Sequence, residues 1–310
     1  MNESIDALRL NLGDGGLLVM NISLAFIMFG VALELTITDF KNVARNPKSA
    51  LVGLFSQFLL LPFLTFLIVW FLEPRPSMAL GMMMVAACPG GNISNFFSVL
   101  SKANAALSVS LTAIATLLAI VMTPFNFTFW ASLYGPTSEI LKEVSLNLFQ
   151  VFKIIFLILG IPLTLGMTFR HVREKLALRL SPWIKGFGVF FFAGFVVVAF
   201  GMNYENFVSY VHLVLVLVLI HNAFALTGGY GLASIAGLPF NDRKSIAIET
   251  GIQNSGLGLL LIFNFFEGLG GMALVAAWWG IWHIVIGLLL SWYWSIGKTS
   301  LQRMLSDARN

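Results

Sequence analysis

Long runs of apolar residues, separated by short polar segments, extend along almost all of the chain. A helix that crosses the hydrocarbon layer of a membrane needs about 20 predominantly apolar residues. Measured against that length, the runs predict about nine membrane spans. The predicted spans cover residues 15–36, 48–72, 77–99, 104–131, 146–169, 184–203, 208–236, 243–266 and 271–296. The pattern therefore predicts an all-α polytopic membrane protein.

The positions of the Lys and Arg residues predict the direction in which the chain crosses the membrane. Of the 18 Lys and Arg residues, all lie in one set of alternate loops except Arg9, Arg75, Lys142 and Lys153. Cytoplasmic loops carry an excess of Lys and Arg. We therefore expect a multi-pass protein of a plasma membrane or a bacterial inner membrane, with the N-terminus outside and the C-terminus in the cytoplasm.

Two of the predicted spans are interrupted near the membrane centre by glycine and polar residues. The third span contains the sequence CPGGNISN at 88–95, and the eighth contains ETGIQNSG at 249–256. Because the breaks lie in the third and eighth spans, spans one to four pair with spans six to nine in the opposite direction across the membrane. Inverted repeats with interrupted helices are typical of secondary transporters, whose binding sites lie at the interruptions.

The first break combines a proline with two glycines. Pro89 removes a backbone donor and clashes with the preceding turn, and Gly90-Gly91 permits an irregular backbone. We expect a half-helix to begin after the break, with free N–H groups that suit an anion. The freed carbonyl groups of the preceding half-helix suit a cation. The alternative is a proline kink whose polar groups bond to neighbouring helices.

Glu249 opens the second break, and its carboxylate is predicted to lie deep in the membrane. A buried ionised carboxylate is unfavourable unless it is paired or coordinated, and no Lys or Arg lies in the middle of a predicted span. A bound cation that prefers oxygen ligands, such as sodium, is the simplest compensation. The alternatives are a protonated structural carboxyl group and a side chain that reaches the cytoplasmic interface.

Isolated polar residues in other spans give weaker indications. Ser108 and Thr112 share one helix face, and Gln57 lies alone among apolar residues. Each of these either lines a binding site or bonds to a neighbouring helix. His283 is open to the same two interpretations.

Composition argues against several other functions. The chain is 58% hydrophobic and 10% charged, whereas a soluble domain carries about 25% charged residues. The net charge of +4 is spread over short loops, so we expect no nucleic-acid partner. Cys88 is the single cysteine, and we find no motif of a metal enzyme, a phosphate loop or a serine nucleophile, so an enzyme is not expected. Asn2-Glu3-Ser4 and Asn126-Phe127-Thr128 match the N-glycosylation pattern on predicted outer segments.

The two broken segments, 88–95 and 249–256, resemble those of the bile acid:sodium symporter family, and the similarity extends over nearly the whole chain. The resemblance implies the nine-helix form of that fold, in which two broken helices cross in a core domain beside a panel domain. A single transmembrane transporter domain would cover residues 1–310. Its core would comprise spans 48–131 and 208–296, and its panel would comprise spans 15–36, 146–169 and 184–203.

The resemblance also implies two sodium ions behind the crossing of the broken helices, and a substrate on its outer side. The first ion would be held by side chains from three segments, namely Ser94, Asn95, Ser108, Thr112 and Glu249. The second would be held by side chains and backbone carbonyl groups of Gln57, Glu249, Thr250, Ile252 and Gln253. The substrate would lie near Asn92, Asn254 and His283.

These observations together predict a sodium-coupled symporter that moves an organic anion by alternating access. A bile acid-like anion is the first expectation for the substrate, and a small monocarboxylate such as pantoate or pyruvate is the alternative. A passive channel or an ion-binding receptor is the alternative of a different class. The sequence leaves the oligomeric state open.

Overall fold

The computed structural model describes residues 5–10, 12, 15–45, 47–144 and 147–307 of the chain. Every regular element within these residues is a helix, which confirms the prediction of an all-α protein. Extended backbone forms only isolated pairings in the described residues, between Arg9 and Leu269 and between Gly90 and Gln253. The second pairing joins the two broken spans.

The first half of the chain forms helices whose ends follow from local sequence. Pro76 begins one helix, a position that proline favours because its missing N–H would be unpaired there anyway. Asn104 caps another, since its side chain accepts a hydrogen bond from the Leu107 backbone N–H. The helices are α1 Gly16–Ala32, α2 Ile37–Arg45, α3 Pro47–Phe55, α4 Leu61–Leu72, α5 Pro76–Ala87, α6 Ile93–Leu100, α7 Ala105–Leu133 and α8 Gly135–Val144.

The second half follows the same rules. The side chain of Asn147 accepts hydrogen bonds from the N–H groups of the helix that follows it. The helices are α9 Leu148–Ile155, α10 Ile161–Val172, α11 Glu174–Met202, α12 Tyr204–Ile235, α13 Phe240–Gly251, α14 Ser255–Phe265 and α15 Gly270–Asp307. One π turn, Ser56–Leu60, joins α3 to α4 without a break, and a second π turn, Phe156–Gly160, joins α9 to α10.

Several helical stretches in the described residues are long and apolar enough to cross a membrane. They are Pro47–Leu72, Ala105–Leu133, Leu148–Val172, Glu174–Ala199, Phe207–Ile235 and Gly270–Ser295. Shorter apolar helices form at α1, α5 and α14. α5 and α14 each form one half of an interrupted span. Each of the long stretches and each of the shorter helices therefore falls in a different predicted apolar run. The total of nine crossings stays a prediction.

Some helices extend beyond the predicted spans or lie outside them. α11 begins at Glu174, well before the predicted start near residue 184. α2 and α8 form in segments that were predicted to be loops. Apolar residues occupy only one face of α2, and Phe40 on that face packs against a cluster that includes Ala113 of α7. Such a helix is too short and too polar to register as a membrane span.

The helices α1, α10 and α11 pack closely against one another. Small residues permit this approach, as they commonly do between membrane helices. A methyl group at Gly166 would meet Ala32 Cβ at 2.5 Å, and one at Gly188 would meet Ile27 Cγ1 at 2.7 Å. These are the helices assigned to the panel, and their movement as a unit stays a prediction.

The first halves of the two interrupted spans are shielded by the rest of the protein. Every residue of α5 from Ser77 to Ala87 is buried, and α13 is buried throughout its last turns. The largest apolar cluster surrounds α5 and includes Met82, Met84 and Trp279. Irregular backbone at membrane depth requires such shielding, because lipid offers no hydrogen bonds.

Asn126 does not lie on an outer segment. It is part of α7, its side chain is buried, and its amide Nδ2 donates to the Phe58 carbonyl at 2.9 Å. The placement of Asn126 on an outer segment is therefore wrong, and its match to the glycosylation pattern has no exposed amide behind it. The other matching segment, Asn2-Glu3-Ser4, falls outside the described residues.

Candidate functional site

The two broken spans meet at their breaks and satisfy each other's backbone groups. The Gly91 N–H donates to the Ile252 carbonyl at 2.7 Å, and the Asn254 N–H donates to the Pro89 carbonyl at 2.8 Å. Non-helical backbone at this depth must find its partners within the protein. The crossing therefore brings four helix ends together: the last turns of α5 and α13 and the first turns of α6 and α14.

Glycine is required at the crossing because atoms of the other broken span, and the side chain of Gln57, lie directly against it. A methyl group at Gly90 would lie 2.7 Å from Glu249 Oε2 and 3.0 Å from Gln57 Nε2. A methyl group at Gly91 would lie 3.0 Å from the Gln253 carbonyl oxygen. The glycines thus permit a close approach of backbone to the carboxylate, which is one of the uses of glycine in proteins.

The carboxylate of Glu249 is fully buried and accepts hydrogen bonds from several neutral side chains. Ser94 Oγ donates to Oε1. Ser108 Oγ donates to Oε1 at 2.5 Å, and Thr112 Oγ1 lies 3.0 Å from both oxygens. Gln57 Nε2 lies 3.3 Å from Oε2. Four helical segments of the chain, α6, α7, α13 and the first π turn, therefore converge on one carboxylate.

Asn95 completes this first cluster of side-chain oxygens. Its Oδ1 lies 2.9 Å from Ser108 Oγ and 3.2 Å from Thr112 Oγ1. All the residues predicted for the first ion are thus connected by hydrogen bonds around Glu249.

Glu249 forms no salt bridge with any of the described residues. Lys244, on the same helix, is also fully buried, but its Nζ donates to the carbonyl groups of Ser101 at 2.6 Å and Lys102 at 2.9 Å. Those carbonyl groups follow the last turn of α6. The charge of Lys244 is therefore directed at the far end of α6, away from the crossing.

A second cluster of side-chain oxygens lies beside the backbone carbonyl of Glu249. Gln57 Oε1 and Gln253 Oε1 are both buried and lack a hydrogen-bond partner. Gln253 Nε2 donates to the Thr250 carbonyl at 2.8 Å, and Gln57 Nε2 lies 3.4 Å from the Glu249 carbonyl. Buried amide oxygens without a partner call for a donor or a cation. The residues predicted for the second ion thus also lie together.

The chemistry of these ligands indicates the class of cation. No group of three or more His, Cys, Asp or Glu side chains that could hold a metal ion occurs in the described part of the chain. Hydroxyl, amide and carbonyl oxygens around a single carboxylate suit hard cations rather than transition metals. The residues present therefore fit an alkali ion such as sodium.

The residues predicted for the substrate lie at the first turns of the half-helices or beside them. Asn254 caps α14, where its side chain accepts a hydrogen bond from the Leu257 N–H at 3.0 Å. Asn92 precedes α6, and its Oδ1 is buried without a partner. His283 of α15 bonds to the backbone of Gln253, and its Nδ1 has no partner. These three residues place polar groups at the crossing or beside it.

Two residues near the site were not assigned to it from the sequence. Ser56 lies in the first π turn, and its Oγ lies 2.7 Å from Thr250 Oγ1. Asn222 of α12 donates through Nδ2 to the Gly251 carbonyl, at the end of α13, at 2.7 Å. Each is an isolated polar residue in an apolar span, which is a weak signal because many such residues only join helices.

The sequence model of the Sodium Bile acid symporter family matches residues 21–210 of this chain. The chain belongs to that family. The matched region includes the first broken span and the α7 face that carries Ser108 and Thr112, and membership confirms the resemblance identified from the two broken segments. A family of transporters also points away from an enzyme, and it implies a multi-pass membrane protein that uses sodium.

Relatives of this family member are known from bacteria, plants and animals. The "Uncharacterized sodium-dependent transporter YocS" of Bacillus subtilis (strain 168) is 34% identical over 276 residues, which cover 89% of this chain and 83% of the relative. The "Probable sodium/metabolite cotransporter BASS2, chloroplastic" of Oryza sativa subsp. japonica is 30% identical over 84% of this chain and 64% of its own length. The human "Sodium/bile acid cotransporter 4" is 29% identical over 75% of this chain and 52% of its own length.

Proposed function

We propose that this protein is a symporter that couples the inward movement of an organic anion to two sodium ions bound beside Glu249. The observation that carries the proposal is a fully buried carboxylate that accepts hydrogen bonds only from neutral groups and forms no salt bridge with a described residue. A buried carboxylate in this setting is stabilised in its charged form by a cation.

The first sodium ion would lie among the hydroxyl and amide oxygens on the α7 side of Glu249. A hydroxyl group is both a donor and an acceptor. Ser108 and Thr112 would therefore turn their lone pairs toward the ion when it binds. Ser94 and Asn95 of α6 would complete the ligands. Because these ligands belong to separate helices, the ion would hold α6, α7 and α13 in one arrangement.

The second sodium ion would lie on the opposite side of Glu249. The two unpaired amide oxygens, Gln57 Oε1 and Gln253 Oε1, support this placement. Backbone carbonyl groups of Thr250 and Ile252 are the further ligands that we propose. Glu249 would then contact both ions, so binding of one ion would favour the charged carboxylate that the other needs.

The anion would bind at the first turns of α6 and α14. The free N–H groups at a helix N-terminus favour negative charge. Asn92, Asn254 and His283 would add neutral polar contacts. Because the residues that we assign to the substrate are neutral, we propose a substrate with one carboxylate or sulfonate group rather than several charges.

Alternating access would require the proposed panel to move against the proposed core. One polar contact between them joins Asn264 of α14 to Asn21 of α1, with an Nδ2–Oδ1 distance of 3.1 Å. We propose that movement of α1, α10 and α11 against the crossing exposes the anion first to one side of the membrane and then to the other.

The first substrate that we propose is a bile acid-like anion, and a small monocarboxylate is the alternative. Both carry a single negative charge, so the ligands around Glu249 favour neither. A passive channel remains the alternative of a different class, and it would not need the two ion sites.

Reconstituted protein tests the proposal directly. Proteoliposomes would be given an inward sodium gradient, and uptake of labelled taurocholate, pantoate and pyruvate would be compared with uptake in potassium alone. We expect sodium-driven uptake of at least one of these anions. We also expect Glu249→Gln to abolish it, because the amide keeps the shape of the side chain but carries no charge.

A matched control is available at the other end of the same span. Glu267 is exposed just after α14, so Glu267→Gln makes the same chemical change away from the crossing and should leave sodium-driven uptake intact. Uptake that is equal in sodium and potassium would favour a channel. Sodium-driven uptake that survives in the Glu249→Gln protein would reject the assigned ion sites.

A further inference from the structure

The helical stretch that carries Gln57 is not α-helical throughout. The π turn Ser56–Leu60 interrupts it, and the Leu61 N–H bonds to the Ser56 carbonyl, five residues earlier. π turns inside α-helices are rare and are frequent at functional sites. Gln57 occupies this turn, so its direction depends on the turn being there.

Pro62 explains why the π turn forms. In an α-helix the residue at position 62 would donate to the carbonyl of Phe58, but proline has no N–H and its ring clashes with that carbonyl. Widening the preceding turn relieves the clash. Pro162 follows the second π turn, Phe156–Gly160, at the same spacing. The repeated spacing associates Pro62 and Pro162 with the two π turns, whereas Pro124 inside α7 is accommodated without one.

Asn126 supplies the hydrogen bond that Pro62 removes. Its Nδ2 donates to the Phe58 carbonyl at 2.9 Å, and the Asn126 side chain is 2% exposed. A buried carbonyl without a donor would destabilise this turn. The same helix, α7, also carries Ser108 and Thr112, so α7 both contacts Glu249 and holds the segment that presents Gln57.

The π turn points two adjacent side chains at α13. Ser56 Oγ lies 2.7 Å from Thr250 Oγ1, and Gln57 Nε2 lies 3.3 Å from Glu249 Oε2. Successive residues of an α-helix are rotated by about 100° around its axis. Restoring an α-helix through this turn would therefore rotate Gln57 relative to the segment that follows it, away from Glu249.

We propose that Asn126 is a positioning residue, which holds the π turn imposed by Pro62 so that the amide oxygen of Gln57 faces the second ion site. The inference rests on the proposed sodium coupling. It assigns a function to a residue that touches neither ion nor substrate.

Equilibrium binding of ²²Na⁺ to purified protein tests this inference without a known substrate. We expect Asn126→Ala to raise the sodium concentration for half-saturation by about tenfold, the factor that corresponds to losing one buried hydrogen bond. Pro62→Ala gives position 62 an N–H for the Phe58 carbonyl and removes the need for the π turn. In potassium, we expect the unfolding temperature of Pro62→Ala to be no lower than that of the wild type. We nevertheless expect this variant to bind sodium about tenfold more weakly.

Pro162→Ala is the matched control. It makes the same change after the second π turn, which packs against α1 and α7 and supplies none of the proposed ion ligands, and it should bind sodium as the wild type does. Wild-type sodium affinity in Pro62→Ala would overturn the inference while leaving the proposed function standing. Absence of sodium binding in the wild type would instead overturn the proposed function. If Asn126→Ala does not fold, Pro62→Ala alone decides the question.

Discussion

An alanine at position 90 would place a methyl group between the carboxylate of Glu249 and the amide of Gln57. The methyl carbon would lie 2.7 Å from Glu249 Oε2 and 3.0 Å from Gln57 Nε2, whereas ordinary contact begins at 3.4 Å. Neither group can retreat freely, because both side chains are fully buried. Gly90→Ala therefore changes the shape of the proposed ion sites without removing any of their ligands.

The size of the effect follows from the overlap at Gly90. Forcing an extra methyl group into a packed interior costs about 1–3 kcal/mol. If that free energy falls on the sodium-bound state, the sodium affinity should fall by roughly 5- to 150-fold.

Sodium titrations of ²²Na⁺ binding and of uptake would measure this change. Gly194→Ala is the control, because a methyl group at Gly194 of α11 would have no atom within 4 Å. Gly90→Ala with wild-type sodium affinity would show that Glu249 and Gln57 do not enclose an ion. An equal loss of affinity in Gly194→Ala would show that the assay responds to general perturbation.

Further substitutions test other contacts. Lys244→Met removes a buried charge that bonds to two carbonyl groups at the end of α6. Because hydrogen bonds to charged groups contribute about 1.5–3 kcal/mol, we expect a lower unfolding temperature in detergent. An unchanged unfolding temperature would contradict that role of Lys244. Asn264→Ala removes the hydrogen bond to Asn21 and should increase amide hydrogen exchange at the facing ends of α1 and α14. Unchanged exchange would show that this hydrogen bond does not hold the two helix ends together. Glu34→Gln breaks a partly exposed salt bridge to Lys185 and should change the unfolding free energy by no more than about 1 kcal/mol; a larger change would contradict this estimate.

Much of the fold could be predicted because the signals were local. An apolar run of spanning length indicates a membrane helix wherever it occurs. Proline and glycine inside such a run indicate a break, and a carboxylate inside one indicates a site. The crossing of 88–95 with 249–256 followed from these signals together with the family resemblance.

Other features could not be predicted because they depend on packing between distant segments. α2 and α8 are short helices, and their apolar faces become visible only against α7 and its neighbours. The π turn at Gln57 follows from Pro62 locally, but its partner Asn126 belongs to another helix. The Asn126 side chain matched a glycosylation pattern, and only its burial beside the Phe58 carbonyl revealed a structural contact.

The charge at the crossing decides which step of the proposed cycle should respond to the membrane potential. The two positive charges of the sodium ions would balance the two negative charges of the monovalent anion and the Glu249 carboxylate, so the fully loaded site would be neutral. The empty site would keep one negative charge. An inside-negative potential favours the outward return of that charge by about 2.3 kcal/mol per 100 mV, and it leaves movement of the neutral loaded form unaffected. We therefore expect net uptake to accelerate when a potassium diffusion potential is imposed.

The same reasoning predicts that exchange is insensitive to voltage. With sodium and substrate on both sides, exchange of labelled for unlabelled anion uses only the loaded form, so its rate should be the same with and without the potential. Exchange and net uptake would be measured in the same proteoliposomes, so that each measurement serves as the control for the other. An exchange rate that changes with the potential would show that the loaded site carries a charge, as it would if the Glu249 carboxyl were protonated. In that case the carboxylate would not neutralise the ions, and the proposed ligand arrangement would have to be abandoned.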